Sequence, residues 1–190
     1  MHDSVSDRKR NLRKTFLAVR KSLSDKEIER MSKKITDRLT SQPFFLRSQT
    51  IHMYVSIKEN SEVLTRDLIR CSLEKGKRVV VPKMESESRL SHHQITSATE
   101  FKSTRWGVSE PVNVRPVHSN EISLVIVPMV AADFKKNRLG YGMGYYDRFL
   151  SKTNAHRVGL CFNCTLSWVS LPTDNFDQSM DTIITESAIL

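Results

Sequence analysis

Hydrophobic residues recur at helical spacing along the first forty residues of the chain. A first amphipathic helix is predicted over about residues 6–23 from the apolar stripe Leu12, Phe16, Val19 and Leu23. Residues 24–27 have a capping-box pattern, which predicts the start of a second helix that ends before Pro43. The apolar stripe of this second helix is Ile28, Met31, Ile35 and Leu39. We therefore expect an N-terminal helical pair.

Short apolar runs rich in β-branched residues punctuate the rest of the chain. Strands are predicted at residues 50–55, 78–83, 90–95, 124–130, 157–161 and 182–185, and helices at residues 63–75 and 145–151. Residues 106–111 are expected to form a loop with Trp106 as an aromatic anchor. The strand, helix and strand within residues 50–83 predict a βαβ unit with parallel strands.

This order of elements predicts an α/β fold. We expect a single domain over residues 1–190, with three α/β/α layers and a mostly parallel central sheet. In such folds ligands bind at the carboxyl ends of the strands. Candidate chemistry is therefore sought just after the predicted strands.

A glycine-rich segment follows the apolar run at residues 124–130. Gly140, Gly142 and Gly144 alternate with other residues, Arg138 precedes them, and Asp147 follows where a helix should begin. Glycine backbone ahead of a helix presents N–H groups that hold phosphate. A tight turn from strand to helix is the alternative, but such turns usually need one or two glycines. The spacing differs from P-loop and dinucleotide fingerprints, so a phosphate cradle of another type is predicted.

The role of Asp147 is left open by its position alone. A carboxylate one turn inside this helix could meet a Mg²⁺ ion that bridges phosphates. It could equally complement the positive end of the helix dipole. Asp177 and Asp181, before the last predicted strand, are either a second carboxylate for such an ion or ordinary loop residues.

Charge is concentrated at the N-terminus. Of the net charge of +9, residues 1–47 contribute +7, because 13 Lys or Arg stand there against 6 Asp or Glu. Such a segment can bind nucleic acid, form a solvated face or supply cations to a small anionic ligand. Phe16 is the one aromatic residue in the basic run of the first helix, which disfavours a stacking platform for single strands. No apolar stretch approaches the roughly 20 residues that cross a bilayer, and no signal-peptide core is present, so a cytoplasmic protein is expected.

Two further patterns are weak. Cys161 and Cys164 have the spacing of a redox or zinc half-site, but a second such pair is lacking and chance spacing is favoured. His92 and His93 are adjacent in a predicted strand and so point to opposite faces, which disfavours a shared metal ion. They are expected to be surface or edge-strand histidines.

The segment from Arg138 to Asp147, with its Arg-Leu-Gly-x-Gly-x-Gly-Tyr-Tyr-Asp core, resembles the 5-formyltetrahydrofolate cyclo-ligase family. The resemblance extends over nearly the whole chain. It includes residues 9–13, Glu62 with Thr65, residues 106–111 and residues 177–186, all in the family's order.

The resemblance implies an enzyme that converts 5-formyltetrahydrofolate to 5,10-methenyltetrahydrofolate with ATP and Mg²⁺, releasing ADP and phosphate. ATP would phosphorylate the formyl oxygen, and N10 of the folate would then attack the activated carbon. A monomer that binds neither nucleic acid nor membrane is expected. Two alternatives stay open: a nucleic-acid-binding module that uses the basic helix, and a folate-binding protein without turnover.

The resemblance also assigns site residues by position. ATP contacts are implied for Lys9, Arg10, Asn11, Leu12, Arg13, Arg138, Leu139, Gly140, Tyr141, Gly142, Met143, Gly144, Tyr145 and Tyr146. Substrate contacts are implied for Arg13, Val55, Glu62, Trp106, Tyr141, Gly142, Met143, Gly144 and Tyr145. Arg138 and Asp147 are the implied catalytic residues, and Asp147 and Asp177 the implied Mg²⁺ ligands. Met143 stands where some members have lysine, so Arg138, Arg148 or Lys83 would have to supply the missing charge.

Overall fold

The protein was analysed as a computed structural model, which describes residues 4–86, 89–104, 107 and 109–190. Its helices are α1 (Val5–Lys21), α2 (Asp25–Thr40), α3 (Pro43–Arg47), α4 (Arg66–Glu74) and α5 (Tyr145–Leu150). Its strands are β1 (Thr50–Met53), β2 (Arg78–Ser86), β3 (Arg89–Ile95), β4 (Phe101–Ser103), β5 (Ser109–Pro111), β6 (Arg115–Pro116), β7 (Leu124–Val127), β8 (Ala131–Asp133), β9 (Arg138–Leu139), β10 (His156–Leu160), β11 (Leu166–Ser167) and β12 (Thr182–Ile184). None of the helices within these described ranges has the length and apolar character needed to span a bilayer.

The central sheet has the strand order β12-β10-β7-β1-β2-β3-β6 within the described part of the chain. The strands from β12 to β2 are parallel, whereas β3 and β6 run antiparallel to their neighbours. β1, α4 and β2 form the predicted βαβ unit, with Ile51 opposite Val79. The expectation of an α/β fold with a mostly parallel sheet is confirmed.

Alternate residues of the central strands face two different apolar clusters, as the period of a β-strand requires. Ile51 and Met53 of β1 pack with α2, α3 and α4 on one face of the sheet. On the other face, Val125 and Val127 of β7 pack with Phe149 of α5. Helices therefore cover both faces of the sheet, which gives the three layers that the sequence predicts.

Helix α1 packs against a second, smaller sheet with the order β11-β8-β9. Its apolar stripe contributes Leu12 and Phe16, which contact the cluster formed by Ala131, Leu139 and Leu171. Because β8 follows β7 after three residues, this packing holds α1 at the carboxyl end of the central sheet. The basic N-terminal helix is thus placed beside the glycine-rich segment.

Several local predictions are wrong. The run at residues 124–130 is not one strand, since β7 ends at Val127 and β8 pairs with the small sheet. Residues 109–111 are not loop but pair with β4 as β5. Helix α2 does end before Pro43, as predicted. The short helix α3 that Pro43 starts was not predicted, although proline is well suited to the first position of a helix.

The two adjacent histidines are half-buried and do not lie on an edge strand. β6 pairs with β3 at His93, so β3 is an interior strand. His92 is half-buried, with its ring 4.1 Å from the ring of Phe149 and 5.1 Å from that of His52. The pairing of β3 with β6 joins residues about twenty positions apart, and β6 has two residues, too few for a periodic pattern.

Candidate active site

A cleft of about 470 Å³ opens at the carboxyl end of the central sheet. Its walls include α1, the turn after β1, the glycine-rich segment and the loop at residues 171–177 before β12, which we call the acidic loop. The predicted site residues that line it are Lys9, Arg13, Val55, Glu62, Arg138, Leu139, Gly140, Tyr141, Gly142, Met143, Gly144, Tyr145, Tyr146, Asp147 and Asp177. Residues from distant parts of the sequence therefore meet at the edge where doubly wound folds bind ligands.

Two glycines of the segment have left-handed backbone, with φ of +99° at Gly142 and +67° at Gly144. Residues other than glycine rarely adopt this conformation. A Cβ atom at Gly144 would also lie 2.8 Å from Nη1 of Arg148, and one at Gly142 would lie 3.2 Å from Cζ of Arg13. The left-handed backbone requires glycine at both positions, and a side chain there would also displace the guanidinium groups of Arg13 and Arg148.

Arg13 connects α1 to the glycine-rich segment. Its Nε donates a hydrogen bond to the carbonyl oxygen of Gly140 at 2.8 Å. The guanidinium of Arg13 therefore lies against residues 140–142. A guanidinium in this position presents its remaining N–H groups as donors for an anion.

Arg138 and Asp147 form a charge pair at the wall of the cleft. Nη2 of Arg138 donates to Oδ1 of Asp147, which also accepts from the backbone N–H of Gln178 at 3.0 Å. The Arg138 side chain is 5% exposed and that of Asp147 is 22% exposed. Nε of Arg138 is buried without a hydrogen-bond partner among the residues described here. A buried cation with an unused donor favours binding of an additional oxygen ligand.

Lys9 holds the acidic loop against α1. Its Nζ donates to Oδ2 of Asp174 at 2.6 Å and to Oδ2 of Asp177 at 2.5 Å. Burial alone would lower the pKa of Lys9, but the hydrogen bonds to the two carboxylates outweigh it and raise that pKa above its ordinary value. Lys9 is therefore a cation that balances two carboxylates at the rim of the cleft.

Three aspartates among the described residues line the cleft: Asp147, Asp174 and Asp177. In each, the contacts above engage one oxygen, and within the described ranges the other oxygen makes no hydrogen bond. Among the described residues no group of three or more His, Cys, Asp or Glu side chains is placed so that it could hold a metal ion by itself. The arrangement fits Mg²⁺, which takes one or two carboxylates and completes its shell with phosphate oxygens and water.

Glu62 is a buried carboxylate that also lines the cleft, 4% exposed. Oε1 accepts from the hydroxyl of Tyr141, and Oε2 accepts from the backbone N–H of Ile57 at 2.7 Å. Burial raises the pKa of Glu62, while these hydrogen bonds and Arg20 act in the opposite direction. Burial likewise raises the pKa of Tyr141, so its hydroxyl is the donor to Glu62.

Some predicted residues lie elsewhere. Arg10 is exposed and pairs with Asp7 at 2.6 Å, Asn11 is exposed, and Leu12 packs in the apolar cluster under α1, so none of the three lines the cleft. Trp106 lies outside the described residues. Lys83 does not line the cleft either, although its neighbours on β2 do. The site assignments themselves stay predictions.

The structure adds Arg20 and Asp174, which the sequence reasoning misses. Arg20 is buried and donates to the Tyr141 hydroxyl at 2.6 Å. A signal was available for it, because Lys9, Arg13 and Arg20 recur at spacings that place them on one face of a helix. Asp174 lacks any local pattern that separates it from other loop carboxylates.

Fold and cleft together define a class: a doubly wound α/β protein with cationic side chains, glycine backbone and carboxylates at the carboxyl edge of its sheet. Residues 5–186 match the sequence model of the 5-formyltetrahydrofolate cyclo-ligase family. The chain belongs to this family and is an enzyme. The resemblance seen in the sequence is thereby confirmed.

Relatives of known name span nearly the same length. The chain is 30% identical over 202 residues to a probable 5-formyltetrahydrofolate cyclo-ligase of Schizosaccharomyces pombe, covering 98% of each chain. It is 25% identical to the 5-formyltetrahydrofolate cyclo-ligase of Mus musculus, covering 97% of each. The solved 5,10-methenyltetrahydrofolate synthetase of Aquifex aeolicus superposes with a TM-score of 0.85 at 32% identity, covering 95% of this chain and 91% of that one.

Proposed function

We propose that this enzyme cyclises 5-formyltetrahydrofolate to 5,10-methenyltetrahydrofolate in a reaction that consumes ATP, requires Mg²⁺ and releases ADP and phosphate. Family membership supports the reaction. The observation that carries the site assignment is the convergence of Lys9, Arg13, Arg138 and Asp147 with residues 140–144 on one cleft of about 470 Å³. This volume lies in the range of about 300–1,000 Å³ typical of small-molecule sites.

The donors in the cleft fit the phosphates of ATP. Arg13 and Arg138 are always charged, and Nε of Arg138 is buried with no partner inside the described part of the chain. Residues 141–143 are exposed and carry no bulky side chain at Gly142, so their backbone can approach a ligand closely. We infer that these groups hold phosphate, and that Asp147 and Asp177 hold Mg²⁺ beside it.

When bound, ATP supplies the phosphoryl group that turns the formyl oxygen into a leaving group, so that N10 can close the ring. The residues of the protein align the reacting groups and stabilise the charge that develops on them. Arg138 would balance negative charge on the transferring phosphate, and Asp147 keeps the guanidinium in place through Oδ1. Glu62 has a lone pair left on each oxygen and would accept N–H groups of the folate. No side-chain nucleophile is required.

Three cations of the basic helix α1 contact other parts of the protein, which supports this function over nucleic-acid binding. Lys9 and Arg20 are buried, and Arg13 bonds to the glycine-rich segment. The cations that remain on the exposed face are those of an ordinary solvated helix. Monomeric state and cytoplasmic location stay predictions.

The test is the absorbance of the methenyl product, followed from 5-formyltetrahydrofolate with and without MgATP. Asp147→Ala is compared with Asp37→Ala, an exposed carboxylate that pairs with Lys33 on α2. We expect product that depends on MgATP in the wild type and in Asp37→Ala, and a loss of at least about tenfold in Asp147→Ala. No product from the wild type, or product without ATP, would contradict the proposal.

Arg138→Ala separates phosphate stabilisation from binding in general. We expect turnover to fall by one or more orders of magnitude, by about the amount seen when a charge-stabilising donor is removed. Arg70→Ala is the matched control, since Arg70 is an exposed arginine paired with Asp67. An unchanged rate in Arg138→Ala would remove this residue from the site.

A further inference from the structure

Arg20 is a buried cation that the reaction does not use directly. It lies on α1, is 3% exposed and does not line the cleft. Nη1 donates to the carbonyl oxygen of Met129 at 2.9 Å, and Nη2 donates to the hydroxyl of Tyr141 at 2.6 Å. Burying a guanidinium is unfavourable unless its N–H groups are hydrogen-bonded or its charge is paired. These two hydrogen bonds offset part of that cost.

The hydrogen bonds continue from Arg20 into the cleft. A hydroxyl has one proton, and a guanidinium can only donate. Because Arg20 donates to the hydroxyl of Tyr141, that hydroxyl is free to donate to Oε1 of Glu62. Oε2 of Glu62 in turn accepts from the backbone N–H of Ile57. These hydrogen bonds link the buried guanidinium of Arg20 to the buried carboxylate of Glu62 through the hydroxyl of Tyr141. The donor in each bond is known.

This series of hydrogen bonds joins four segments of the protein. They are α1, the connection after β7 at Met129, the glycine-rich segment at Tyr141, and the turn after β1 at residues 57–62. Tyr141 and Glu62 both line the cleft. The phenol therefore connects the segment assigned to nucleotide with the carboxylate assigned to folate.

We propose that Arg20 is a positioning residue that, through Tyr141, sets Glu62 and the glycine-rich segment in register, so that the nucleotide and folate sides of the cleft are ordered as one unit. The proposal rests on the function proposed above. It assigns Arg20 no contact with either substrate.

The geometry calls for arginine in particular. The two acceptors, a backbone carbonyl and a phenol, are reached by two different nitrogens of one rigid planar group. An ammonium group is a single point on a flexible stem and cannot reproduce this fork. Arg20→Lys therefore keeps the charge and removes the geometry, whereas Tyr141→Phe keeps the fold and removes the link to Glu62.

The experiment measures kcat and the KM of each substrate for wild type, Arg20→Lys, Tyr141→Phe and the double variant, with urea unfolding of all four. We expect the KM values for MgATP and 5-formyltetrahydrofolate both to rise about tenfold in each single variant, as for loss of one charge-assisted hydrogen bond. The double variant should be no worse than the poorer single variant, because both changes break the same chain. Arg38→Lys is the control, since Arg38 donates to the carbonyl of Glu186 away from the cleft.

In the kinetic experiment, two results would overturn the proposal. Arg20→Lys that loses stability with KM and kcat unchanged would leave Arg20 a structural residue. An additive double variant would show that Arg20 does not act through Tyr141. If the wild type has no turnover, the proposed function fails separately, and the variants are then compared by calorimetric binding of 5-formyltetrahydrofolate. Equal affinity of wild type, Arg20→Lys and Tyr141→Phe would overturn the positioning role.

Discussion

His52 couples the stability of the fold to pH. It lies in the middle of β1, fully buried, with its ring 4.9 Å from that of Phe149 and 5.9 Å from that of Tyr146. Neither ring nitrogen has a hydrogen-bond partner among the residues that the structure describes. Burial, and to a smaller extent the neighbouring His92, hold the pKa of His52 well below its ordinary value of 6.5. Burial also lowers the pKa of His92 to about 4.

The sign and size of the effect follow from proton linkage. In the unfolded chain His52 titrates near its ordinary value of about 6.5, whereas in the folded chain it stays neutral. The stability contribution is complete above that value and is lost as the pH falls below it. Between pH 7.5 and 5.5 the unfolded state gains nearly one proton, so the free energy of unfolding should fall by about 1.4 kcal/mol from His52 alone. His92 acts in the same direction, with a smaller contribution because it is partly exposed.

The assay is urea unfolding of wild type, His52→Leu and Ile51→Val at pH 7.5 and 5.5. The difference in free energy between wild type and His52→Leu should move by about 1.4 kcal/mol towards the variant at pH 5.5. Ile51→Val changes the same strand on the opposite face of the sheet and leaves the rings around His52 in place, so its offset from wild type should be the same at both pH values. A constant offset for His52→Leu would contradict this coupling, because it would show that burial of a neutral His52 does not change the free energy of unfolding with pH.

The remaining predictions concern glycines and a thiol. Gly144→Ala should remove most of the turnover. Gly76→Ala is the control, since Gly76 has a similar φ of +71° but open space around it, and it should lose only about 1 kcal/mol of stability and keep its rate. Equal rates of the two variants would argue against the close approach of Arg148 to Gly144. A Cβ at Gly159 would overlap the methyl group of Met129, so Gly159→Ala should lower the free energy of unfolding by about 1–3 kcal/mol in urea, and no loss would show that the core adjusts. Burial raises the pKa of Cys161 to about 12, so iodoacetamide at pH 8 should modify it only after unfolding, and rapid native labelling would contradict its burial.

The elements with a strong periodic pattern could be predicted from the sequence. The stripe of Ile28, Ile35 and Leu39 predicts α2, and all three side chains lie in the core. The strands β1, β7 and β10 were likewise marked by apolar runs. These patterns are local, and burial of an apolar face is what they encode.

The parts that could not be predicted depend on partners far away in sequence. Whether a cation on α1 faces solvent or the interior depends on acceptors such as the carbonyl of Met129, more than a hundred residues later. The burial of His92 depends on Phe149 and on β6, which has no periodic signal. The glycine spacing indicated the cradle, but the left-handed backbone at Gly142 and Gly144 is a property of the turn as it packs against two arginines.

We propose that residues 138–147, with Arg13 and the acidic loop, bind the nucleotide. The most direct measurement is amide hydrogen exchange by mass spectrometry with and without a non-hydrolysable MgATP analogue. Protection at residues 140–146 and at residues 174–178 is the predicted result, with exchange elsewhere on the surface little changed. Binding of the nucleotide that leaves these segments unprotected, or that protects only the opposite edge of the sheet, would contradict this assignment of the nucleotide site.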